Sequence, residues 1–221
     1  IPQDAPLGLA HCVVIAQDFL GDEDFVMYLG DNMLEQGLTQ FVDDFRNARA
    51  AGGPKAPTAQ ILLCHVENPK QFGVAEVDKD GHVVRLVEKP ENPPSDLALV
   101  GVYLFDKTIN EAVRAIKPSP RGELEITDLN RFYLDEGAMA VEIMGRGFAW
   151  LDTGTHASLL DAATYVRITE ERQGLKIACP EEIAWRPGFI TADRLREIAE
   201  PLRKSGYGEY LLKLLEQSVY P

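Results

Sequence analysis

The sequence predicts an α/β fold, in which helices and strands alternate around one sheet. Apolar residues recur at helical spacing over residues 9–20, and an apolar strand follows at 24–29. The same order repeats with an amphipathic helix that ends before Gly52 and a strand at 58–66. Residues 78–81 end in Asp-Gly, which is typical of a hairpin turn. We therefore expect a sheet that is parallel at first and is then interrupted by a hairpin.

The rest of the chain continues this alternation and then becomes helical. Strands are predicted at residues 72–77, 82–88, 97–105, 139–144 and 148–152. Helices are predicted at residues 109–116, 125–134, 180–185, 192–203 and 210–215. A further helix is predicted to begin at a cap formed by Thr153 or Thr155 and to run through Arg172. Helix patterns replace strand patterns from Gly174 onward. The prediction is an α/β domain over residues 1–173 and a helical C-terminal appendage over residues 174–221.

Composition excludes several classes of protein. The 221 residues are 45% hydrophobic and 26% charged, as in an ordinary globular protein. A net charge of −13 without a cluster of Lys and Arg argues against a nucleic-acid partner. We expect no membrane partner, because no apolar run reaches the roughly 18 residues that a membrane span needs. Three cysteines without C-x-x-C spacing fit a reducing compartment, so the expected location is the cytoplasm.

Two aspartates follow predicted strands directly. Asp31 lies in Leu-Gly-Asp-Asn and Asp152 lies in Trp-Leu-Asp-Thr-Gly-Thr. Ligands of open α/β sheets bind beyond the carboxyl ends of the strands, and two carboxylates with phosphate oxygens are typical ligands of Mg²⁺. The residues therefore favour Mg²⁺-assisted chemistry on a nucleotide. Ordinary turn and cap residues give the same pattern, so each motif taken singly is weak.

Several motifs, taken in order, resemble the glucose-1-phosphate thymidylyltransferases. They are Leu-Gly-Asp-Asn, Glu-Lys-Pro at 88–90, Val-Gly-Val-Tyr at 100–103, Pro-Arg-Gly-Glu-Leu-Glu-Ile-Thr-Asp at 120–128 and Trp-Leu-Asp-Thr-Gly-Thr-His at 150–156. The resemblance extends from Gln3 to Leu211. It implies a Rossmann-like mixed sheet of the nucleotide-diphospho-sugar transferase type, with a β-hairpin insertion and a helical C-terminal tail.

The activity implied by this resemblance is thymidylyl transfer from dTTP to glucose 1-phosphate. The products would be dTDP-glucose, which serves dTDP-rhamnose and polysaccharide biosynthesis, and pyrophosphate. The implied catalytic residues are Asp31, Asp152 and Arg121, and the two aspartates would hold Mg²⁺. Such a transfer needs developing negative charge to be neutralised and the reactants to be held in line. A guanidinium group such as that of Arg121 suits a phosphate partner.

The resemblance also implies a set of substrate-binding residues. They are Gln3, Gly8, Gly73, Glu88, Lys89, Val100, Gly101 and Tyr103. Gln3 and Gly8 match the segment that contacts the thymine edge, whereas Glu88 matches a contact to sugar hydroxyls and Lys89 a contact to the sugar phosphate. Without the resemblance, Gln3 is more simply a solvated terminal residue, and Glu88 with Lys89 an exposed pair at a hairpin edge.

A regulatory site and an oligomer are implied as well. Gly145 and Arg146 match part of a second nucleotide site that lies between subunits in feedback-regulated members of the family. This match implies a homo-oligomer, specifically a homotetramer.

The sequence contains no glycine-rich phosphate turn. Neither G-x-G-x-x-G nor a P-loop is present, and the Arg and Lys of the family's own glycine-rich turn would precede Ile1. We therefore expect little turnover from these 221 residues by themselves. A non-catalytic nucleotide-sugar-binding regulatory subunit and a nucleotidyltransferase that uses another nucleoside triphosphate both stay open. A dehydrogenase is disfavoured, because its glycine fingerprint is missing.

Overall fold

The computed structural model describes residues 1–35, 37–53 and 56–216. Within these ranges the strands are β1 Phe25–Tyr28, β2 Asn32–Leu34, β3 Ala59–His65, β4 Gly73–Val77, β5 Val83–Glu88, β6 Leu97–Phe105, β7 Met139–Ile143 and β8 Trp150–Asp152. The α-helices are α1 Leu9–Leu20, α2 Thr39–Ala50, α3 Ile109–Ala115, α4 Ile126–Asp135, α5 His156–Gln173, α6 Pro180–Trp185, α7 Ala192–Ala199 and α8 Gly206–Leu214. Most predicted elements are thus present, with ends that move by a few residues.

The nine-residue strand β6 is the centre of the main sheet. One edge pairs antiparallel with β3, from Leu97 opposite His65 to Phe105 opposite Ala59. The other edge pairs antiparallel with β1 at one end and with β4 at the other. β3 also pairs in parallel with β7, and β4 pairs with β5. The sheet is therefore mixed, as the resemblance implied.

The sequence predicted that the first strands of the sheet, β1 and β3, are parallel neighbours, and this pairing is wrong. β1 and β3 run in the same direction, since both are antiparallel to β6, but they are not neighbours. β6 lies between them, although it comes later in the chain. Local periodicity identifies a strand and carries no information on which distant strand will pair with it.

β2 and β8 form a separate two-stranded antiparallel ribbon. Asn32 lies opposite Asp152, and Leu34 lies opposite Trp150. The prediction of a buried sheet strand over residues 148–152 is therefore wrong in two respects: the strand begins at Trp150, and it belongs to the ribbon. All three of its residues are half-buried, which fits a short ribbon better than a core strand.

The hairpin between β4 and β5 is present as predicted. The Oδ1 atom of Asp78 accepts the backbone N–H groups of Asp80 and His82, both at 2.9 Å. These bonds favour the charged carboxylate, and the bond from His82 contributes most to lowering the pKa of Asp78. Gly81 closes the turn at φ 85°, a conformation that glycine adopts readily.

Both faces of β6 are buried, and each faces its own apolar cluster. Leu97, Leu99, Tyr103 and Phe105 pack into one cluster with α1, α3 and α4. Val100, Val102 and Leu104 pack into the other cluster with α2 and Met144. This alternation explains why β6 reads as a continuous apolar run, because a strand covered on both faces has no solvent side.

The chain divides into two compact units, Ile1–Leu159 and a second one that begins at Leu160. The second unit is helical and has its own small core of Cys179, Leu195, Ala199, Leu211 and Leu214. The helical tail is thereby confirmed. The boundary between domains at residue 173 stays a prediction.

Two helix ends in the second unit differ from the predicted ones. The helix predicted to reach residue 203 ends as α7 at Ala199 and continues as a 3₁₀ turn over Glu200–Leu202, which contains Pro201. The last helix begins at Gly206, four residues earlier than predicted. There the Ser205 hydroxyl accepts the N–H of Gly208 at 3.2 Å, which caps the helix.

None of the helices in the described parts of the chain is both long enough and apolar enough to cross a membrane.

Substitution of Phe105 tests whether β6 is the centre of the core. It is fully buried, pairs with Phe25 and Ala59 across both edges of β6, and stacks on Tyr103. Phe105→Ala is expected to lower the free energy of unfolding by about 3–5 kcal/mol, since it removes a buried ring and leaves a cavity. Urea unfolding measures this loss. The control is Phe19→Ala in α1, where the ring is 81% exposed and a change below about 0.5 kcal/mol is expected. Equal effects of the two variants would contradict the assignment of β6 as the centre of the core.

Candidate active site

A cavity of about 200 Å³ opens beside the middle of β6. The turn before β2, the end of β5, β6, the start of α4 and the end of β8 contribute to its wall. Seven of the predicted site residues line it: Asp31, Gly73, Glu88, Lys89, Gly101, Tyr103 and Asp152. Residues from four separate motifs thus meet at one place in the first unit.

The two aspartates face one small volume. A Cβ atom added at Gly154 would lie 2.9 Å from Oδ1 of Asp152 and 3.8 Å from Oδ2 of Asp31. The N–H of Gly154 donates to the same Oδ1 atom of Asp152 at 2.9 Å, and the absence of a Cβ leaves room for both carboxyl groups beside this backbone. The backbone of this region is fixed, because the N–H and the hydroxyl of Thr153 both donate to the carbonyl oxygen of Asp31 at 2.8 Å. Two carboxylates around an open space fit a hexacoordinate cation that keeps several water or phosphate ligands.

Asp31 and Asp152 are positioned by different parts of the fold. Asp31 follows β1 of the main sheet, as predicted, whereas Asp152 is the last residue of β8 in the ribbon. The residues described here include no cluster of three or more His, Cys, Asp or Glu side chains that could bind a metal ion. A cation at this site would therefore need ligands from a substrate or from water in addition to the two carboxylates.

Glu88 is held against α4. Its Oε2 atom accepts the hydroxyl of Thr127, a buried residue that also lines the cavity. A Cβ at Gly73 would come within 2.8 Å of the Thr127 Oγ1 atom, so a side chain there would displace this hydrogen bond. Glu88 is thus a carboxylate held in one orientation. It is not the exposed residue at a hairpin edge that the sequence also allowed.

Lys89 adopts a backbone conformation that side chains rarely tolerate. Its φ angle is 38°, in the left-handed region, and its N–H donates to the carbonyl oxygen of Phe72 at 3.1 Å. Backbone strain of this kind is concentrated at functional sites, where surrounding contacts hold it in place. The Nζ atom of Lys89 lies 3.9 Å from Oε1 of Glu88. Lys89 is the one cationic side chain among the described residues that line the cavity.

Tyr103 forms a buried part of the cavity wall. Burial is the main factor that raises the pKa of its phenol, and the charges of Glu88 and Asp31 raise it further. The hydroxyl therefore keeps its proton at neutral pH and can act as a hydrogen-bond donor there. This placement agrees with the predicted contact near a ligand, although the role itself stays a prediction.

Arg121 lies outside the cavity wall and is engaged by carboxylates. Its Nη2 atom donates to both oxygens of Glu125 at 2.9 Å, and Nε donates to Oε1 at 3.2 Å. Glu125 is largely buried and also accepts the hydroxyl of Ser119 at 2.7 Å. The hydrogen bonds with Glu125 are the main factor that raises the pKa of Arg121. In this structure Arg121 stabilises a buried acid, and its catalytic role stays a prediction.

Three further predicted residues are not among those that line the cavity. Gln3 donates to the carbonyl oxygen of Gly8 at 3.1 Å. Gly8 has φ 97°, and a Cβ there would lie 2.3 Å from the carbonyl oxygen of Leu124, so packing against that loop already requires glycine. Val100 is fully buried in the cluster beneath α2, which means that any contact with a ligand would have to come from its backbone.

The predicted regulatory pair lies in the segment between β7 and β8. Gly145 and Arg146 are both exposed, and neither lines the cavity. A Cβ at Gly145 would make ordinary contact, at 3.4 Å, with the ring of Phe148. The structure thus brings this pair to the surface, and its role in regulation stays a prediction.

The cavity residues that were not assigned a role from the sequence include three whose side chains form hydrogen bonds with other cavity residues, namely Asn32, Thr127 and Trp150. Each lies inside a motif that carried the resemblance, next to or near a residue that was assigned. The available signal was therefore the motif itself. The sequence could not show which residues Asn32 contacts, because its hydrogen bonds with Gly101 and Trp150 span 69 and 118 residues.

Comparison with known proteins gives the family. Residues 1–168 match the family described as "Nucleotidyl transferase". The chain belongs to the nucleotidyl transferase family. A glucose-1-phosphate thymidylyltransferase from Neisseria meningitidis is 42% identical over 215 residues, which are 97% of this chain and 73% of that protein. The protein of the same name from Xanthomonas campestris pv. campestris is 46% identical over 216 residues, 97% of this chain and 71% of that protein.

Solved structures of nucleotidyl transferases share the fold. A Bacillus anthracis protein in complex with a sucrose matches with a TM-score of 0.66 and 36% identity, over 75% of this chain and 63% of that chain. A UDP-glucose pyrophosphorylase complexed with UDP-glucose matches with a TM-score of 0.63 and 20% identity, over 76% of this chain and 65% of that chain. The predicted fold class is confirmed, and the protein is an enzyme of the nucleotidyl transferase type.

The pairing of Arg121 with Glu125 leads to a prediction about stability. Arg121→Ala leaves the buried carboxylate of Glu125 with one neutral donor, Ser119, so the free energy of unfolding is expected to fall by about 1–3 kcal/mol. Arg85→Ala is the matched control, because it removes an exposed ion pair with Glu76 and is expected to cost less than about 0.5 kcal/mol. Urea unfolding of both variants measures the difference. If Arg121→Ala proved as mild as Arg85→Ala, the arginine would not be needed to stabilise Glu125.

Proposed function

We propose that the protein transfers a thymidylyl group from dTTP to glucose 1-phosphate. A phosphate oxygen of the sugar phosphate forms a bond to the α-phosphorus of dTTP, the bond between the α- and β-phosphates breaks, and pyrophosphate leaves. The observation that carries the proposal is the convergence of Asp31 and Asp152 on one open volume beside Glu88 and Lys89. The names of the relatives from Neisseria and Xanthomonas support the choice of substrates.

Asp31 and Asp152 would hold Mg²⁺. The cavity wall has three acidic side chains and one lysine among its described residues, and the Nη2 atom of Arg121 lies 3.5 Å from Oε1 of Glu88, so further positive charge would favour a phosphate ligand. A bound Mg²⁺ would neutralise charge on the reacting phosphates and orient them. The chain's own contribution is to hold the two carboxyl groups beside the backbone of Gly154, where the absence of a Cβ leaves room for both.

The remaining cavity residues suit a sugar phosphate. Glu88 has its Oε2 fixed by Thr127 and can accept hydrogen bonds from sugar hydroxyls, while Lys89 can pair with the sugar phosphate. Tyr103 supplies a protonated hydroxyl at the wall. Gly73 and Gly101 are proposed to meet the hexose through backbone atoms, because the space of a Cβ is taken by Thr127 at the first position and by the Asn32 amide at the second. Gln3 and Gly8 are proposed to contact the thymine edge.

Substitution of the aspartates tests the proposal. Asp31→Asn and Asp152→Asn are expected to lower Mg²⁺-dependent pyrophosphate release by about 100-fold or more, since each removes an anionic ligand, while the fold persists. Asp43→Asn, on the exposed face of α2, removes the same charge outside the cavity and should have no effect. Mg²⁺-dependent binding of dTDP-glucose, measured by calorimetry, is the parallel measurement, because it does not depend on turnover.

The outcomes separate the proposed enzyme from its alternatives. Pyrophosphate release and dTDP-glucose binding that are insensitive to both aspartate substitutions would refute the proposed site. Binding of dTDP-glucose without turnover would favour a regulatory subunit. A faster reaction with UTP, CTP or ATP than with dTTP would keep the transferase and change its nucleotide.

We further propose that the protein assembles with copies of itself, as a homotetramer. In the second unit, Leu160, Ile168, Ile183 and Phe189 are large apolar side chains that are exposed in the single chain, Phe189 by 82%. A contiguous patch of exposed apolar groups marks an interaction surface, and we propose that these side chains contribute to one. Gly145 and Arg146 are proposed to belong to a regulatory nucleotide site, and the cytoplasm is the proposed location.

Sedimentation equilibrium tests the assembly. Ile183→Asp is expected to lower the measured mass toward that of one 24.5 kDa chain, because a charge would be buried at the interface. Arg194→Ala, which changes an exposed polar residue on α7, is the control and should leave the mass unchanged. A wild-type protein that sediments as a monomer would contradict the proposal.

A further inference from the structure

Asn32 is a buried amide that joins three parts of the active site. Asn32 is 8% exposed, and its Nδ2 atom donates to Oδ1 of Asp31 at 2.9 Å. Its Oδ1 atom accepts the backbone N–H of Gly101 at 3.0 Å and the indole Nε1–H of Trp150 at 2.7 Å. One side chain thus connects a proposed metal ligand with the central strand and with the ribbon.

The orientation of this amide follows from its partners. The N–H of Gly101 and the indole N–H of Trp150 can only donate, so the amide oxygen has to face both of them. The NH₂ group then necessarily faces Asp31. Of the residue types close to this size, an amide alone supplies two accepted bonds on one side and a donor on the other. Aspartate would place a second carboxylate against Asp31, and leucine would leave two buried donors unpaired.

The bond from Asn32 gives the two carboxylate oxygens of Asp31 different neighbours. Oδ1 is tied to the amide, while Oδ2 is the atom that lies 3.8 Å from the position of a Cβ at Gly154, on the side of Asp152. Fixing Oδ1 therefore fixes the direction of Oδ2. Asn32 also lies directly opposite Asp152 in the ribbon register. A change at position 32 would therefore remove the contact that orients the Asp31 carboxylate.

We propose that Asn32 is a positioning residue that orients the Asp31 carboxylate toward a shared divalent cation and couples that carboxylate to the indole of Trp150. The inference rests on the proposed metal site. It assigns Asn32 no contact with the substrate or with the cation: its effect passes through Asp31. Partners that orient a metal ligand typically change metal affinity by about 10- to 100-fold when they are removed.

Direct titration with Mn²⁺, used as a paramagnetic substitute for Mg²⁺, tests the proposal without substrates. Electron paramagnetic resonance of free Mn²⁺ gives the dissociation constant. Asn32→Ala is expected to raise that constant by about 10-fold or more. In an Asp31→Asn background the same substitution should have little further effect, because the two residues act through one interaction. Asn47→Ala, at an exposed position of α2, is the matched control.

Gly101→Ala is a second variant that keeps Asn32 in the sequence. The added Cβ would lie 2.7 Å from Cγ and Oδ1 of Asn32, which would push the amide out of place. It should weaken Mn²⁺ binding in the same direction as Asn32→Ala. Gly37→Ala is its control, since nothing lies within 4 Å of a Cβ there. Circular dichroism of each variant checks that the fold is retained.

Trp150 provides a readout that needs neither metal nor substrate. The chain has two tryptophans, so in a Trp185→Phe background the emission comes from Trp150. Asn32→Ala should shift the emission maximum of the metal-free protein, because the indole loses its acceptor. Mn²⁺ should quench this emission more weakly in Asn32→Ala than in the parent at equal metal concentration, in line with the weaker binding.

Two results would overturn the inference. One is unchanged Mn²⁺ affinity in Asn32→Ala together with a raised KM for glucose 1-phosphate, which would make Asn32 a substrate contact. The other is an equal loss of Mn²⁺ affinity with and without Asp31, which would show that Asn32 acts by another route. Failure of thymidylyl transfer alone would refute the proposed substrates and leave the metal titration and the fluorescence result standing.

Discussion

The close approach of Asn32 to the backbone of Gly101 is the contact on which the active site depends. A side chain at position 101 would occupy the space of the amide, so the absence of a Cβ there admits the bond between Asn32 and the central strand. The ribbon of β2 and β8 is anchored to the main sheet at this point, because Trp150 in β8 donates to the same oxygen. One glycine in the most buried strand thereby sets the distance between the sheet and both aspartates.

The central strand serves the core and the site at once. Every residue of β6 is buried, with alternate side chains in two apolar clusters. Gly101 and Tyr103 interrupt the run of aliphatic residues, and these two line the cavity. Burial of the neighbouring side chains makes the strand rigid, which is the condition for holding catalytic groups within a fraction of an ångström. The Tyr103 ring shows both roles, since it stacks on Phe105 in the core while the charges of Glu88 and Asp31 act on its phenol.

The sequence predicted what is local and missed what is distant. The periodicity of α1, β3 and β6 and the Asp-Gly turn at Gly81 identified those elements, because each depends on neighbours within a few residues. The insertion of β6 between β1 and β3 depends on pairing across tens of residues, which no periodicity encodes. In the site, Asp31 and Asp152 stood out because two carboxylates beyond the carboxyl ends of predicted strands suit a Mg²⁺ site. Asn32 did not, because its polar bonds are satisfied by partners that are 69 and 118 positions away.

The charge of the cavity constrains the chemistry more than the charge of the whole chain. The net charge of −13 lies mostly on exposed side chains, where salt screens it over roughly 8 Å. Inside the cavity, Asp31, Glu88 and Asp152 face Lys89, the single cation among the described wall residues. Two phosphorylated reactants would meet further negative charge there. A divalent cation held by the two aspartates, as proposed, would reverse the local field, so that the carboxyl groups that otherwise repel the reactants would help to bind them.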